Sequence, residues 1–530
     1  MLKFLKRITW QEKILFITVF FVGFPTVFVI WAFVDDGYAA LISQRMTGAI
    51  LDGNVNLFFS QIVEPELGRL RPFYWIYQWL TFIVGGYNHF YHHLIHFGLL
   101  LLTSFLLFKI VKEISKSSNA AFLSVLFFII NKDNVENWYR LGPQEPLLVF
   151  LLLGSFYFLL KSTKNIFFIL SLVFLFCAYF TKETSLAFLP VSFLFFLFKR
   201  NKYHFVYFLS NLFLAILTRG IAMTLGSFEN NYASFYQLDF SRIVHNTLLL
   251  FRHVIYTFDP LIFIAISAFL FTVIFHLKNN KFRSHPLFIW RLIGLMWFFS
   301  FVLIQSPWEF VLTRYLLPAY VGLSIFLGIE YKLLLDFLKS VLNDKSLSKE
   351  FRIFFVLSKW FVFFLFFLIL TSNVLSVLNY QRFVTTDFDE QMLKLISVAP
   401  EGATVYFNFE KGDANMELNY EIPLHLRLFF DRQDLNFNYL DSSSETLFKN
   451  GDLILSGNGV PAYSEEEIKS FSNVLEKKHF ERKFNSFNIM RPEHLFLTMI
   501  TFKKPKIPLY SVNHSCFNWY VYQFFKNTKN

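Results

Sequence analysis

The chain has 530 residues, of which 55% are hydrophobic, 21% aromatic and only 16% charged, and its mean hydropathy is +0.44. This excludes an ordinary water-soluble protein, because the 76 Phe residues recur in continuous runs, such as 361–370, that leave no polar face for water. The formal charge of +11 does not point to nucleic acid, since the basic residues cluster just outside apolar runs rather than along one polar stripe.

Three basic residues, Lys3, Lys6 and Arg7, precede an apolar run at 14–34. The run exceeds the roughly 7 to 15 residues of a cleavable signal core, so a retained signal-anchor is expected rather than cleavage near Gly37-Tyr38-Ala39. Further apolar runs follow at 90–111, 119–131, 145–160, 165–181, 184–198, 203–225, 259–277, 286–305, 314–332 and 351–377. They predict an α-helical polytopic membrane protein with about eleven transmembrane helices, although several runs fall short of the roughly 20 residues a straight span needs. Lys109, Lys112 and Lys116, then Lys161 and Lys164, Lys199, Arg200 and Lys202, Lys278, Lys281 and Arg283, and Lys339, Lys345 and Lys349 occupy every second boundary. The positive-inside rule assigns those boundaries and the N-terminus to the cytoplasm, and an odd number of spans puts the C-terminus outside.

The outer connections are then 35–86, 131–144, 181–183, 225–259 and 306–314. The first is long, and its partly amphipathic pattern over 38–50 predicts a helix on the membrane surface. Beyond residue 380 the composition turns soluble, with strand patterns at 404–409, 435–440 and 452–456 and a Ser-capped helix at 464–475. The expected organisation is a transmembrane domain at 1–380 and a small C-terminal α/β extracytoplasmic domain at 381–530. Cys177 lies in an apolar run and Cys516 near the C-terminus, so no disulfide is expected between them.

Candidate chemistry gathers on the outer side. Asp35-Asp36 stands where the first span ends; the pair reads either as two solvated loop acids or as a general base or metal ligand at the membrane face. Other outer segments contribute Arg69 and Arg71, Arg140 and Glu145, Lys182-Glu183, and Arg314-Tyr315. Lys182-Glu183 has almost no loop around it and reads as an ion pair at or below the membrane surface. His92, His93 and His96 open the second span; two share a helical face, yet no third ligand at diagnostic spacing supports zinc, and one histidine is expected to hydrogen-bond in the outer cavity with the rest at the interface. Arg314 begins a span and is well placed either to hold a phosphate at headgroup depth or to anchor the helix.

Taken in order, Asp35-Asp36, Arg71-Pro72, the His-rich second span, the Arg140 to Glu145 loop, Thr181-Lys182-Glu183, Arg314-Tyr-Leu-Leu-Pro and a trailing soluble domain resemble the GT-C superfamily of membrane glycosyltransferases, including its protein O-mannosyltransferase-like members. The resemblance implies a polyprenyl-phosphate-linked sugar donor, a glycan, lipid or protein acceptor, and work at the lipid bilayer; the Phe- and Lys-rich composition suggests a bacterium, where that bilayer is the plasma membrane. It puts a catalytic base on Asp35 or Asp36. Arg314 with Tyr315 is the first choice for the donor phosphate, followed by Arg71 and Lys182, with Arg69, Arg140 and His92 as further substrate contacts. Glu145 and Glu183 would orient those cations or bind a metal; no complete ligand set can be matched, and use of a divalent ion such as Mg or Mn stays open. The competing readings are a transporter or flippase of a lipid-linked glycan, which lacks the support of visible inverted repeats, and a non-catalytic membrane assembly protein.

Overall fold

The computed structural model describes residues 9–29, 36–64, 69–131, 134–225, 239–258, 261–278, 286–308, 313–343, 348–384, 388–408, 416–440, 448–456, 463–470, 474–488 and 511–524. Helix α1 (Trp10–Gly23) begins at a reciprocal cap: the Thr9 hydroxyl accepts from Glu12 N–H while the Glu12 carboxylate accepts from Thr9 N–H at 2.8 Å. Pro25 then tightens the chain into a 3-10 turn at Phe24–Phe28. Two polar-ended helices, α2 (Asp36–Leu51) and α3 (Val55–Ile62), and a short antiparallel pair, β1 (Val63–Glu64) and β2 (Arg69–Leu70), fill the first long connection, which α4 (Pro72–Gly85) completes.

The remaining apolar runs build the bundle: α5 (His89–Ser115), α6 (Ser118–Ile129), the short α7 (Val135–Tyr139), α8 (Glu145–Leu160), α9 (Asn165–Tyr179), a 3-10 segment at Glu183–Phe188, α10 (Leu189–Lys199), α11 (Lys202–Leu225), α12 (Phe240–Phe258), α13 (Leu261–Lys278), α14 (Pro286–Gln305), α15 (Leu317–Asn343) and α16 (Lys349–Val384). Each of the eleven expected runs carries helix. Among the described residues, four helical stretches are long and apolar enough to cross a membrane: Trp10–Phe28, His89–Ser115, Lys202–Ile221 and Leu287–Gln305. Ser118–Ile129, Glu145–Leu160 and Asn165–Tyr179 are equally apolar but shorter, so the expected span count is supported only in part.

Helix α15 is the axis on which the bundle packs, and glycine makes that possible. A β-carbon at Gly322 would lie 2.6 Å from Phe298 N and 2.7 Å from Trp297 Cβ, while one at Gly294 would lie 2.9 Å from the Gly322 carbonyl, so α14 and α15 touch backbone to backbone. On another face, a β-carbon at Gly328 would meet the Ala120 carbonyl at 2.7 Å on α6. Gly322→Leu is expected to force these helices apart and to cost about 1–3 kcal/mol, as overpacking does, measured as a lowered unfolding temperature in detergent.

The two ends of α5 differ chemically. Near its C-terminal end Lys109 and Lys112 reach the Glu12 carboxylate at 2.9 and 3.4 Å, and Lys161 reaches Glu113 at 2.8 Å. Its N-terminal end carries the histidines and faces the connections that hold the candidate site.

After α16 the chain forms α17 (Phe388–Ser397), β3 (Thr404–Phe407), α18 (Met416–Phe429), β4 (Asn436–Tyr439), β5 (Leu453–Ser456), α19 (Glu465–Ser470), β6 (Val474–Asn488) and β7 (Ser511–Phe524). The sheet order is β4-β3-β5-β7-β6, with β3 parallel to both β4 and β5, and β7 antiparallel to β5 and β6. Val405, Phe407, Leu453 and Leu455 pack against Met392, Ile396, Ile422 and Leu426 of α17 and α18. Tyr406 and Ile454 on the opposite face pack against Ile468 of α19. Burial on both faces explains why β5 is apolar at three successive positions. Arg432 clamps the layer: it donates to the Ala399 and Pro400 carbonyls at 2.9 and 3.2 Å and grips Asp434 with two nitrogens, each at 2.7 Å. That guanidinium holds the Asp434 carboxyl well below the usual carboxylate range.

The three expected strands are present, each within a residue or two of its expected limits. The helix expected over 464–475 is shorter. Ser464 caps it as anticipated, with Glu467 N–H donating to its hydroxyl, but it ends at Ser470 and by Val474 the chain is extended in β6. Pairing along the whole of β7 prevails over the local helical pattern there.

Candidate active site

Asp36 opens α2 and is fully buried, its position fixed from outside the helix. Leu141 N–H and Gly142 N–H donate to its Oδ1 at 2.8 and 2.9 Å. The carbonyls of the same two residues are taken by α4: the Gln78 amide donates to Leu141 O and the Tyr74 hydroxyl to Gly142 O, both at 2.6 Å. The 140–144 turn is therefore stapled between the acidic end of α2 and one face of α4. Asp35 lies outside the described residues.

From that turn, ionic and aromatic contacts extend across the end of the bundle. Arg140 and Arg314 both reach Glu136, at 3.0 and 3.4 Å. Tyr315 lies under two cations, with the Arg314 guanidinium 5.4 Å and the Lys182 ammonium 4.6 Å from its ring centre. Lys182 is bonded to the buried carboxylate of Glu145, at the start of α8. Burial lowers the Lys182 pKa, and the Glu145 charge opposes that shift. The next residue, Glu183, receives Arg71 through two bonds, Nε at 2.9 Å and Nη2 at 2.6 Å. Phe73 N–H also donates to Phe180 O at 2.9 Å, so the start of α4 docks on the end of α9.

The expected Lys182-Glu183 ion pair takes a different form. Each residue pairs with a separate segment, Lys182 with Glu145 and Glu183 with Arg71, because neighbours in an extended backbone project in opposite directions. The result ties three outer segments together.

His92, His93 and His96 are all buried, which corrects the expectation that only one would leave the interface. His92 Nε2 donates to Gly86 O at 2.8 Å and caps the end of α4; it does not join the ionic cluster. His96 Nε2 donates to Asn137 O at 3.0 Å, and the Asn137 amide donates to Arg314 O at 2.8 Å, so this histidine supports the phosphate candidate from behind. Arg69 sits on β2, with its side chain outside the described residues. No three His, Cys, Asp or Glu residues among those described converge as a metal site. Glu145 and Glu183, expected to orient the cations or to bind a metal, each engage a cation, Lys182 and Arg71 respectively.

The sequence reading missed two groups here, Glu136 and the Glu421–His425 pair. The latter sits on α18 with His425 Nε2 3.5 Å from Glu421 Oε2, both residues buried. A β-carbon on Gly37 would come within 2.9 Å of the His425 ring and nearer still to the Glu421 carboxylate. Glycine after Asp36 lets the Glu421 and His425 side chains lie directly against the start of α2. The i, i+4 spacing of an acid and a histidine was the available signal.

No family profile matches the chain, and no curated protein matches it. Among solved structures the chain is similar to ArnT from Cupriavidus metallidurans bound to undecaprenyl phosphate, with a TM-score of 0.47 and 13% sequence identity over 88% of this chain and 95% of that one.

Proposed function

We propose that this chain is an inverting glycosyltransferase of the GT-C type, which moves a sugar from a polyprenyl-phosphate donor to a glycan, lipid or protein acceptor outside the cytoplasm. The observation that carries this reading is the convergence of Arg71, Arg140, Lys182 and Arg314, from four separate connections, beside the buried acidic start of α2. An apolar bundle with a cationic, aromatic rim at one end suits a ligand with a hydrocarbon tail and a phosphate head.

In the proposed reaction an acceptor hydroxyl attacks the anomeric carbon and gives up its proton to a carboxylate of the Asp35-Asp36 pair. The bond from that carbon to the phosphate oxygen breaks, and the polyprenyl phosphate leaves with the electron pair. Its added negative charge is met by guanidinium and ammonium groups. One displacement inverts the sugar. Arg314 is the first candidate to turn toward the phosphate, because its 3.4 Å contact with Glu136 is the longest of the four pairings. Of the two acids, Asp36 accepts from two backbone amides, which makes it an anchor; the proton is assigned to Asp35.

The test is the full chain in lipid nanodiscs with a radiolabelled polyprenyl-phosphate sugar and acceptor membranes. Release of polyprenyl phosphate together with label in the acceptor is expected. Movement of intact lipid-linked sugar across a liposome bilayer, with no glycosidic bond cleaved, would replace this reading with a transporter.

A further inference from the structure

Beyond the ionic cluster, a groove of about 660 Å³ runs between α2 and α18, closed at one side by the turn that joins α4 to α5. Gln44 and Arg45 come from α2, Tyr87 from the turn, Arg427 from α18, and Asp431 and Gln433 from the loop after it. Leu41, five residues beyond Asp36 on the same helix, also lines it, so the groove starts about 7.5 Å of helical rise from the acidic start of α2.

The lining has a definite chemistry. Arg45 and Arg427 are exposed, and among the described residues neither forms an ion pair. The Arg427 guanidinium lies 5.8 Å from the Phe437 ring centre, and its carbonyl accepts from the Gln433 amide at 3.2 Å, so its backbone and its side chain are both held. Tyr87 packs edge-on against Phe429 at 5.9 Å and against Phe82 at 5.2 Å, which fixes its ring at the wall. An immobilised aromatic face suits the apolar face of a pyranose. Side-chain amides and a carboxylate suit its hydroxyls, and two guanidinium groups suit a carboxylate substituent through paired N–H bonds. The volume lies within the roughly 300–1,000 Å³ of small-ligand sites and is far larger than a bare phosphate requires.

We infer that this groove is the acceptor site and that it binds an acidic oligosaccharide, one bearing uronate groups, with Arg45 and Arg427 reading the carboxylates and Tyr87 stacking on a ring. The inference rests on the transferase reading, since the groove runs along α2, the helix that Asp36 begins.

The experiment is equilibrium binding to the full chain in nanodiscs with trigalacturonic acid, a neutral galactose trisaccharide and inorganic phosphate as probes, without donor. The acidic trisaccharide is expected to bind at least 10-fold tighter than the neutral one. Arg45→Gln and Arg427→Gln are each expected to weaken it by about 10- to 100-fold, as loss of a charge-assisted hydrogen bond does. Tyr87→Ala should weaken both sugars by the same factor. Equal binding of the two trisaccharides, unchanged affinity in both Arg variants with unchanged unfolding temperature, or full displacement of the acidic sugar by equimolar phosphate would each overturn the inference. Because no donor is present, failure of donor cleavage with this binding pattern intact sinks the transferase reading alone. Donor cleavage with no acidic preference sinks the groove assignment alone.

Discussion

Asp35→Asn is expected to lower sugar transfer by about 100- to 10,000-fold, the range for removing a general base, while donor binding changes little. Asn has the same shape but cannot take the proton. Asp36→Asn is expected to act differently: its amide oxygen still accepts from Leu141 and Gly142, so the turn stays in place and the rate falls far less. Asp36→Ala leaves those two buried amides without this acceptor, which costs about 1–3 kcal/mol and loosens the turn that carries Arg140. Initial rates and unfolding temperatures of the three variants separate base from anchor. If Asp36→Asn stops transfer at an unchanged unfolding temperature and Asp35→Asn does not, the two roles are exchanged.

The second large effect concerns stability. Arg291 on α14 and Glu330 on α15 are both buried; the guanidinium meets the carboxylate through Nε and, at 2.8 Å, through Nη2, and lies 4.7 Å from the Phe269 ring centre. Removing one partner from such a pair strands a charge in an apolar bundle. Glu330→Leu is therefore expected to destabilise the chain by about 3–5 kcal/mol, and the double variant Arg291→Met with Glu330→Leu to recover most of that loss. Denaturant titration in detergent micelles reads both. A single variant as stable as the parent would mean that water reaches the pair.

The helical runs were legible in the sequence because composition alone decides them: a stretch with no polar face has one solvent that suits it. The strands at 404–407 and 453–456 were legible for a related reason, as short apolar runs between turn residues. Partners were harder to read. Lys182 and Glu183 announce an ionic contact but not its direction, which depends on how α8 and α4 arrive from residues 145 and 71. Arg291 and Glu330 are separated by 39 positions, and each looks like an isolated charge within its run; a charge inside an apolar helix should have prompted a search for its partner. The long β6–β7 pair was missed because Lys477, Lys478, Glu481, Arg482 and Lys483 break any alternation of apolar and polar residues. Glu421 and His425 were passed over because they lie in what looks like an ordinary soluble segment, far along the chain from Gly37, on which they rest.

The seat of α18 on Gly37 bears on how the protein comes to life. A ribosome finishes α2 long before it reaches residue 416, and the two must meet before the wall of the groove exists. Under the proposed activity, a nascent chain with its bundle already inserted still lacks the surface that receives the acceptor. In the proposed activity, lipid-linked sugar would then be spared until residues 416–433 have folded onto α2.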